Sequence, residues 1–145
     1  MNWKKEAEYD LRNYARRLDS LEHTEEKVRA LRERMLSVKA GISDDTPVQG
    51  GGNRAQESMI NCIAEIERLE LTRQATERLV RLVESGLEGL SDEERTVLDL
   101  FYIHRAKGHV ERLMELLNVE QSRVYQIKDA AIYKFTITLY GLPEF

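Results

Sequence analysis

From residue 3 to residue 39 the chain contains neither glycine nor proline, and no other feature limits its fold as strongly. The stretch is rich in Glu, Arg, Leu and Ala, which lose little rotamer freedom in a helix, so it reads as one long helix. Leu11, Tyr14, Leu18 and Leu21 step by 3, 4 and 3, the seam spacing of a coiled coil. The stripe resumes as Val28, Leu31, Met35 and Val38, after the polar run His23-Thr24-Glu25-Glu26-Lys27. That run displaces the seam as a stutter or a crossing point would. Glu25 and Arg29 attract at i, i+4 while Glu22 and Glu26 repel, and the remaining charges form a solvated face.

A second helix is predicted from Arg54 to about Ser85. Its apolar face comprises Met59, Cys62/Ile63, Ile66 and Leu69, then Leu79/Val80 and Leu82/Val83, around a polar middle, Thr72-Arg73-Gln74-Ala75-Thr76. Residues 40–53, AGISDDTPVQGGGN, hold Gly41, Pro47 and Gly50-Gly51-Gly52 and read as a non-helical Gly-rich loop. The loop lacks GxxxxGK[ST] and follows no strand, so it is a connection and not a phosphate cradle. Both helices have apolar ends and a polar waist, which predicts a long antiparallel, coiled-coil-like hairpin of about 50 Å. Two helices alone bury little. Either the C-terminal helices or a second copy is expected to cover them, the latter giving a homo-oligomer through the long helices.

Composition narrows the function. Among 145 residues, 41% are hydrophobic, 33% charged and 7% aromatic, with 2 prolines, which favours an all-α, solvated protein over a compact α/β enzyme. The one cysteine, Cys62, lies in an apolar stripe and reads as a small core residue. His23, His104 and His109 are scattered, and neither HExxH, CxxC nor a nucleophile with a matching base occurs. No catalytic residue, metal site or cofactor is expected, and the protein is not predicted to be an enzyme. The N-terminus MNWKKEAEYD is polar and no apolar run approaches a membrane span, so a cytoplasmic location is expected.

Gly86 and Gly89 bracket a short hinge, which sets the expected domains at 1–86, the hairpin, and 87–145. Ser91-Asp92-Glu93-Glu94 gives a capping box, with Ser91 as N-cap and Glu94 at N3. The helix after it is predicted to bury Val97, Leu98, Phe101 and Tyr102, and a loop over 103–109 closes a three-helix bundle. Residues 110–135, VERLMELLNVEQSRVYQIKDAAIYKF, read as a helix-turn-helix. The first helix is expected to pack through Leu113, Leu116 and Leu117. Asn118 sits where the backbone must turn left-handed, and Val119 plugs the turn. The second helix restarts at about Glu120 and buries Val124, Ile127, Ala131 and Phe135, leaving Ser122, Tyr125, Gln126, Asp129 and Tyr133 on the opposite face. Gln121, Ser122, Arg123, Tyr125, Gln126 and Lys128 are the candidate DNA-binding residues, since a helix carrying such groups suits the major groove of double-stranded DNA. Gly141-Leu142-Pro143 ends the last helix.

The segment resembles region 4 of the sigma-70 family, aligning without a gap to LEEIxxxLGVxxxRVxQIxxxALxKL. Glu111, Leu113, Leu117, Val119, Arg123, Val124, Gln126, Ile127, Ala131 and Lys134 match. LSDEERTVLDLFY is similar to the first helix of that region, through Leu90, Glu94, Arg95, Val97 and Leu98. The layout also resembles small phage-encoded regulators of the RinA/ArpU type, in which a long helical segment precedes a region-4-like domain. SDDTPVQGGGNR, followed by a helix with I-x-x-I-x-x-L, is similar to their mid-chain. The resemblance implies control of phage late or integration genes with bacterial RNA polymerase as partner, inside a host cell. No region-2-like aromatic and basic melting segment is present, so a self-sufficient sigma factor is not implied.

Several positions depart from the pattern. Met114 stands where the family has Ala or Gly, Glu120 replaces a Ser/Thr cap, Gln121 and Ser122 replace a charged pair, and Asp129 points from the groove face. Charge argues in the same direction. Residues 1–89 hold 15 Lys/Arg and 17 Asp/Glu, and residues 90–145 hold 7 and 9, so each part is at −2. Phosphate contacts supply most non-specific affinity, so the C-terminal part alone should bind DNA weakly, more tightly with a partner. Two other functions fit the same pattern: a small-terminase-like DNA-packaging subunit, and a protein that binds polymerase or a sigma factor without touching DNA.

Overall fold

The computed structural model of the protein describes residues 2–42 and 51–141, and every regular element among them is helical. In chain order these are α1 (Trp3–Ile42), α2 (Gly51–Glu88), α3 (Asp92–Leu98), a π-helical turn (Asp99–Ile103), α4 (His109–Leu117) and α5 (Gln121–Tyr140). Among the described residues no helix is long and apolar enough to cross a membrane. Both long helices reach into the Gly-rich stretch: α1 takes in Gly41, and α2 opens on Gly51 and Gly52. Glycine costs about 1 kcal/mol in a helix interior, but at an end the backbone groups lack intrahelical partners anyway and the penalty shrinks. Pro47 and the rest of 43–50 lie outside the described residues.

The chain divides into two compact units, one of Met1–Leu18 with Arg78–Phe145, the other of Asp19–Glu77. Both divisions fall inside helices, and Gly86 lies within the first unit. Gly86 is not a hinge. It is a helical residue of α2, and a Cβ there would stand 2.7 Å from Phe135 Cε2 and 3.2 Å from Leu139 Cδ2. The missing side chain is what lets α5 approach.

The core of the first unit joins Ala7 and Leu11 of α1 and Val83 of α2 to Val97, Leu98, Phe101, Leu113, Val124, Ile127, Ala131, Ile132 and Phe135. Ser91 Oγ accepts from the Glu94 N–H at 3.2 Å, and Glu94 Oε1 accepts from the Ser91 N–H at 3.1 Å, so the capping box is complete. Burial pushes the Glu94 carboxyl up, but the Lys134 ammonium at 2.9 Å and the Ser91 donors hold it below the usual carboxylate range. Leu116 departs from expectation: it is 57% exposed, and Val110, Leu113 and Leu117 face inward instead. Those three span a narrow arc, and Leu116 lies roughly 90° from its centre at about 100° per residue.

Asp10, buried in α1, accepts from Arg17 Nη1 at 3.0 Å and from the Tyr140 hydroxyl at 2.5 Å, while the Trp3 and Tyr140 rings pack 4.9 Å apart. The start of α1 is thereby tied to the last turn of α5. Burial, then Asp10, raises the pKa of Tyr140; burial, then the Glu8 carboxylate, raises that of Tyr102. A tyrosine that ionises less readily when folded contributes stability that is intact below its ordinary pKa of about 10 and lost as the pH climbs towards its folded value. Unfolding midpoints are therefore expected to fall once the pH exceeds about 10, and Tyr102→Phe with Tyr140→Phe to flatten that fall. Urea titrations at about pH 9 and about pH 11 test this; an equal slope in the double variant refutes it.

In the second unit Val28 and Cys62 are buried, and Lys27–Glu65 at 3.9 Å and Arg32–Glu70 at 3.8 Å join the two helices. The buried side of α2 does not stop at its polar middle. Met59, Cys62, Ile66, Leu69, Arg73 and Thr76 continue in steps of 3 and 4, all at least partly buried. Arg73 fits because its stem packs while its guanidinium is held by Glu70 at 3.0 Å and Glu77 at 3.3 Å.

Candidate nucleic-acid interface

α4 stops at Asn118, which adopts φ 53°, ψ 51° and sends its N–H to the Met114 carbonyl. It is the one non-glycine residue with positive φ among the described residues, and asparagine bears that conformation at lower cost than most side chains. Val119, half-buried against the core, donates to the same carbonyl at 3.2 Å. Glu120 then takes the extended N-cap conformation of α5, and its carbonyl accepts from the N–H groups of Arg123 at 3.1 Å and Val124 at 3.2 Å.

The Glu120 side chain makes no capping bond. Its carboxylate departs from the Ser/Thr expected there, and the first N–H groups of α5 gain no side-chain acceptor. Glu120→Ser is expected to stabilise the protein by about 0.5–1 kcal/mol, read as a higher thermal midpoint. An unchanged or lower midpoint would show that the carboxylate's favourable field at the helix start outweighs the missing cap.

On the first two turns of α5, Gln121, Ser122, Arg123, Tyr125 and Gln126 are all exposed, while Val124 and Ile127 between them are buried. The alternation follows from helical period: every third or fourth residue meets the core, and the rest form a continuous polar surface. Arg123 Nη1 lies 3.5 Å from Gln126 Oε1, a long, weak contact, so the two head groups share one spot. Arg123 does not pair with Glu120. Lys128 differs from the other five candidates. Only 19% of its side chain is exposed, its Nζ pairs with Asp129 Oδ1 at 3.1 Å, and it lies 5.6 Å over the Phe101 ring and 5.9 Å over Tyr125.

Sequence reasoning missed the ring cluster beneath this surface. Phe101 of the π-helical turn meets His109 edge-on at 4.7 Å and Tyr125 at 5.8 Å. Each of those residues, read along the chain, has an ordinary local role; only folding brings them together. Most residues that match the sigma region-4 pattern are buried or held in ion pairs. Leu90, Val97, Leu98, Leu113, Val124, Ile127 and Ala131 are buried, Glu94 pairs with Lys134, and Arg95 pairs with Asp92. Of the matching residues, Arg123 and Gln126 stand on the exposed face of α5. No cluster of His, Cys, Asp and Glu able to hold a metal ion occurs among the described residues.

No protein-family model matches the chain, and no curated protein or solved structure is significantly similar to it.

Proposed function

We propose that this protein is a sequence-specific DNA-binding regulator of transcription, in which α4, the Asn118 turn and α5 act as a helix-turn-helix within a three-helix bundle. The observation that carries the reading is the surface of Gln121, Ser122, Arg123, Tyr125 and Gln126, exposed above buried Val124 and Ile127 directly after a tight left-handed turn. A side chain one turn into such a helix reaches base edges in the major groove, and a glutamine amide can pair bidentately with adenine. The resemblance to sigma region 4 and to phage regulators of the RinA/ArpU type adds that the protein is phage-encoded and acts with host RNA polymerase.

The long helices form the antiparallel hairpin of this reading, and a second copy covers it. Support comes from α2, whose side opposite Cys62 carries exposed Ile60, Ala64, Leu71 and Ala75, with Ile60 at 64% and Leu71 at 68% exposure. A reading as a pure interaction protein has its own support in Leu116, exposed on α4.

The test starts with selection of binding sites from a randomised duplex pool by the full-length protein, with and without polymerase. Gln126→Ala is then expected to weaken the selected site by roughly 1–3 kcal/mol and relax preference at one position. Arg123→Ala should weaken all sequences about equally. Discrimination unaffected by Gln126→Ala in a folded protein would rule out this face as the reader and favour the interaction protein.

A further inference from the structure

The cations of the α3–α5 region are unevenly engaged. Residues 90–145 contain seven Lys and Arg residues, all described. Arg95 pairs with Asp92 at 2.6 Å, Lys128 with Asp129 at 3.1 Å and Lys134 with Glu94 at 2.9 Å. Arg105, Lys107 and Arg112 are exposed, with no acidic group at ion-pair distance among the described residues, and Arg123 has among them only the Gln126 amide. Three of the four uncommitted cations therefore lie between the π-helical turn and the first turn of α4.

Most of that segment carries no opposing charge; the exception is Glu111, in the first turn of α4 beside Arg112, whose Oε2 would stand 3.9 Å from a Cβ on Gly108. From Leu100 to Val110 the chain reads LFYIHRAKGHV, without an acidic residue. Asp99, just before it, is engaged by His104 Nδ1 at 2.7 Å. The loop is shaped by specific bonds: the His104 N–H donates to the Asp99 carbonyl at 2.7 Å, His109 Nδ1 lies 3.2 Å from the Ala106 carbonyl, and Gly108 takes φ 79° to start α4. His109 ends the loop against Phe101, whose ring also contacts Tyr125 of the exposed α5 face. The basic loop and that face are thus linked through a single aromatic ring.

We propose that residues 105–109, together with Arg112, form a phosphate-binding arm that grips the backbone of a nucleic-acid duplex lying against α5. The proposal rests on the reading of α5 as a DNA-facing helix. A cation with no ion pair to break gives up only hydration when it meets a phosphate, and each contact releases condensed counterions. This local concentration lets a chain of net charge −4 hold a polyanion, because the Debye length of about 8 Å at physiological salt screens more distant carboxylates.

The experiment uses the full-length protein and a fluorescent mixed-sequence duplex of about 30 base pairs, titrated by anisotropy at several salt concentrations, beside the corresponding single strand. Arg105→Glu with Lys107→Glu is expected to weaken duplex binding roughly tenfold or more. Arg105→Gln with Lys107→Gln should lower the log–log salt slope by about 2, near 0.9 per lost phosphate contact. Both residues are exposed, so circular dichroism should be unchanged. An unaltered slope overturns the arm, as does tighter binding to the single strand than to the duplex. Gln126→Ala separates the two ideas: an unchanged slope in the loop variants alongside lost discrimination in Gln126→Ala refutes the arm alone. Intact discrimination in Gln126→Ala refutes the α5 reading. A wild-type chain that binds no duplex sinks both.

Discussion

Phe135→Ala is expected to destabilise the first unit by about 3–5 kcal/mol. The ring is fully buried, and it occupies the space that Gly86 leaves on α2. Truncation loses its transfer free energy and opens a cavity that two helix backbones cannot easily close, because their spacing is set by other core contacts. The complementary change acts on the same contact from the other side. Gly86→Ala gains up to about 1 kcal/mol of helix propensity but forces a methyl against the ring, an overpacking worth about 1–3 kcal/mol. Net destabilisation by Gly86→Ala, partly relieved by Phe135→Leu in the double variant, is the signature of direct contact. Urea unfolding followed by circular dichroism reads all three. Additivity of the two changes would show that Gly86 and Phe135 do not share a site.

A fragment beginning at residue 87 is expected not to fold cooperatively. Such a fragment contains α3 to α5 and the candidate interface, but it lacks Ala7, Leu11 and Val83, each fully buried in the same core. Losing two large aliphatic side chains and uncovering Phe135 costs on the order of 5 kcal/mol, comparable to the whole stability of many small domains. The fragment also leaves Tyr140 without Asp10. A fragment from residue 78, supplied with a peptide of residues 2–18, should regain a cooperative melt. A sharp thermal transition in the shorter fragment alone would contradict this. The result bears on function, since weak DNA binding by an unfolded fragment says nothing about α5, and binding studies belong with the full chain.

Helix content, the Ser91–Glu94 capping box, the Asn118 turn and the two sides of α5 were legible along the chain. Each depends on residues three or four apart, or on the backbone preference of a single side chain, and these act whatever the rest of the molecule does. The same local logic pointed to Cys62 as a core residue and to Gln121, Ser122, Arg123, Tyr125 and Gln126 as exposed. It went astray where a local signal has two meanings. Gly86 looks like a hinge in sequence, yet Phe135, 49 positions later, makes it a point of close approach inside a helix. Arg73 and Thr76 look like an interruption of the α2 seam, yet they continue it once Glu70 and Glu77 hold the guanidinium.

Tertiary structure alone decided which charges and rings meet. Asp10 and Tyr140 are 130 residues apart, and only the packing of α1 against α5 makes one the acceptor of the other. Lys128 shares the periodicity of an exposed helical residue, but Phe101 and Asp129 draw it against the protein, whereas Arg105, Lys107 and Arg112 have no ion pair among the described residues. Helical period determines which way a side chain leaves its helix. Which partner it finds there depends on chain segments distant in sequence, and no local pattern encodes that.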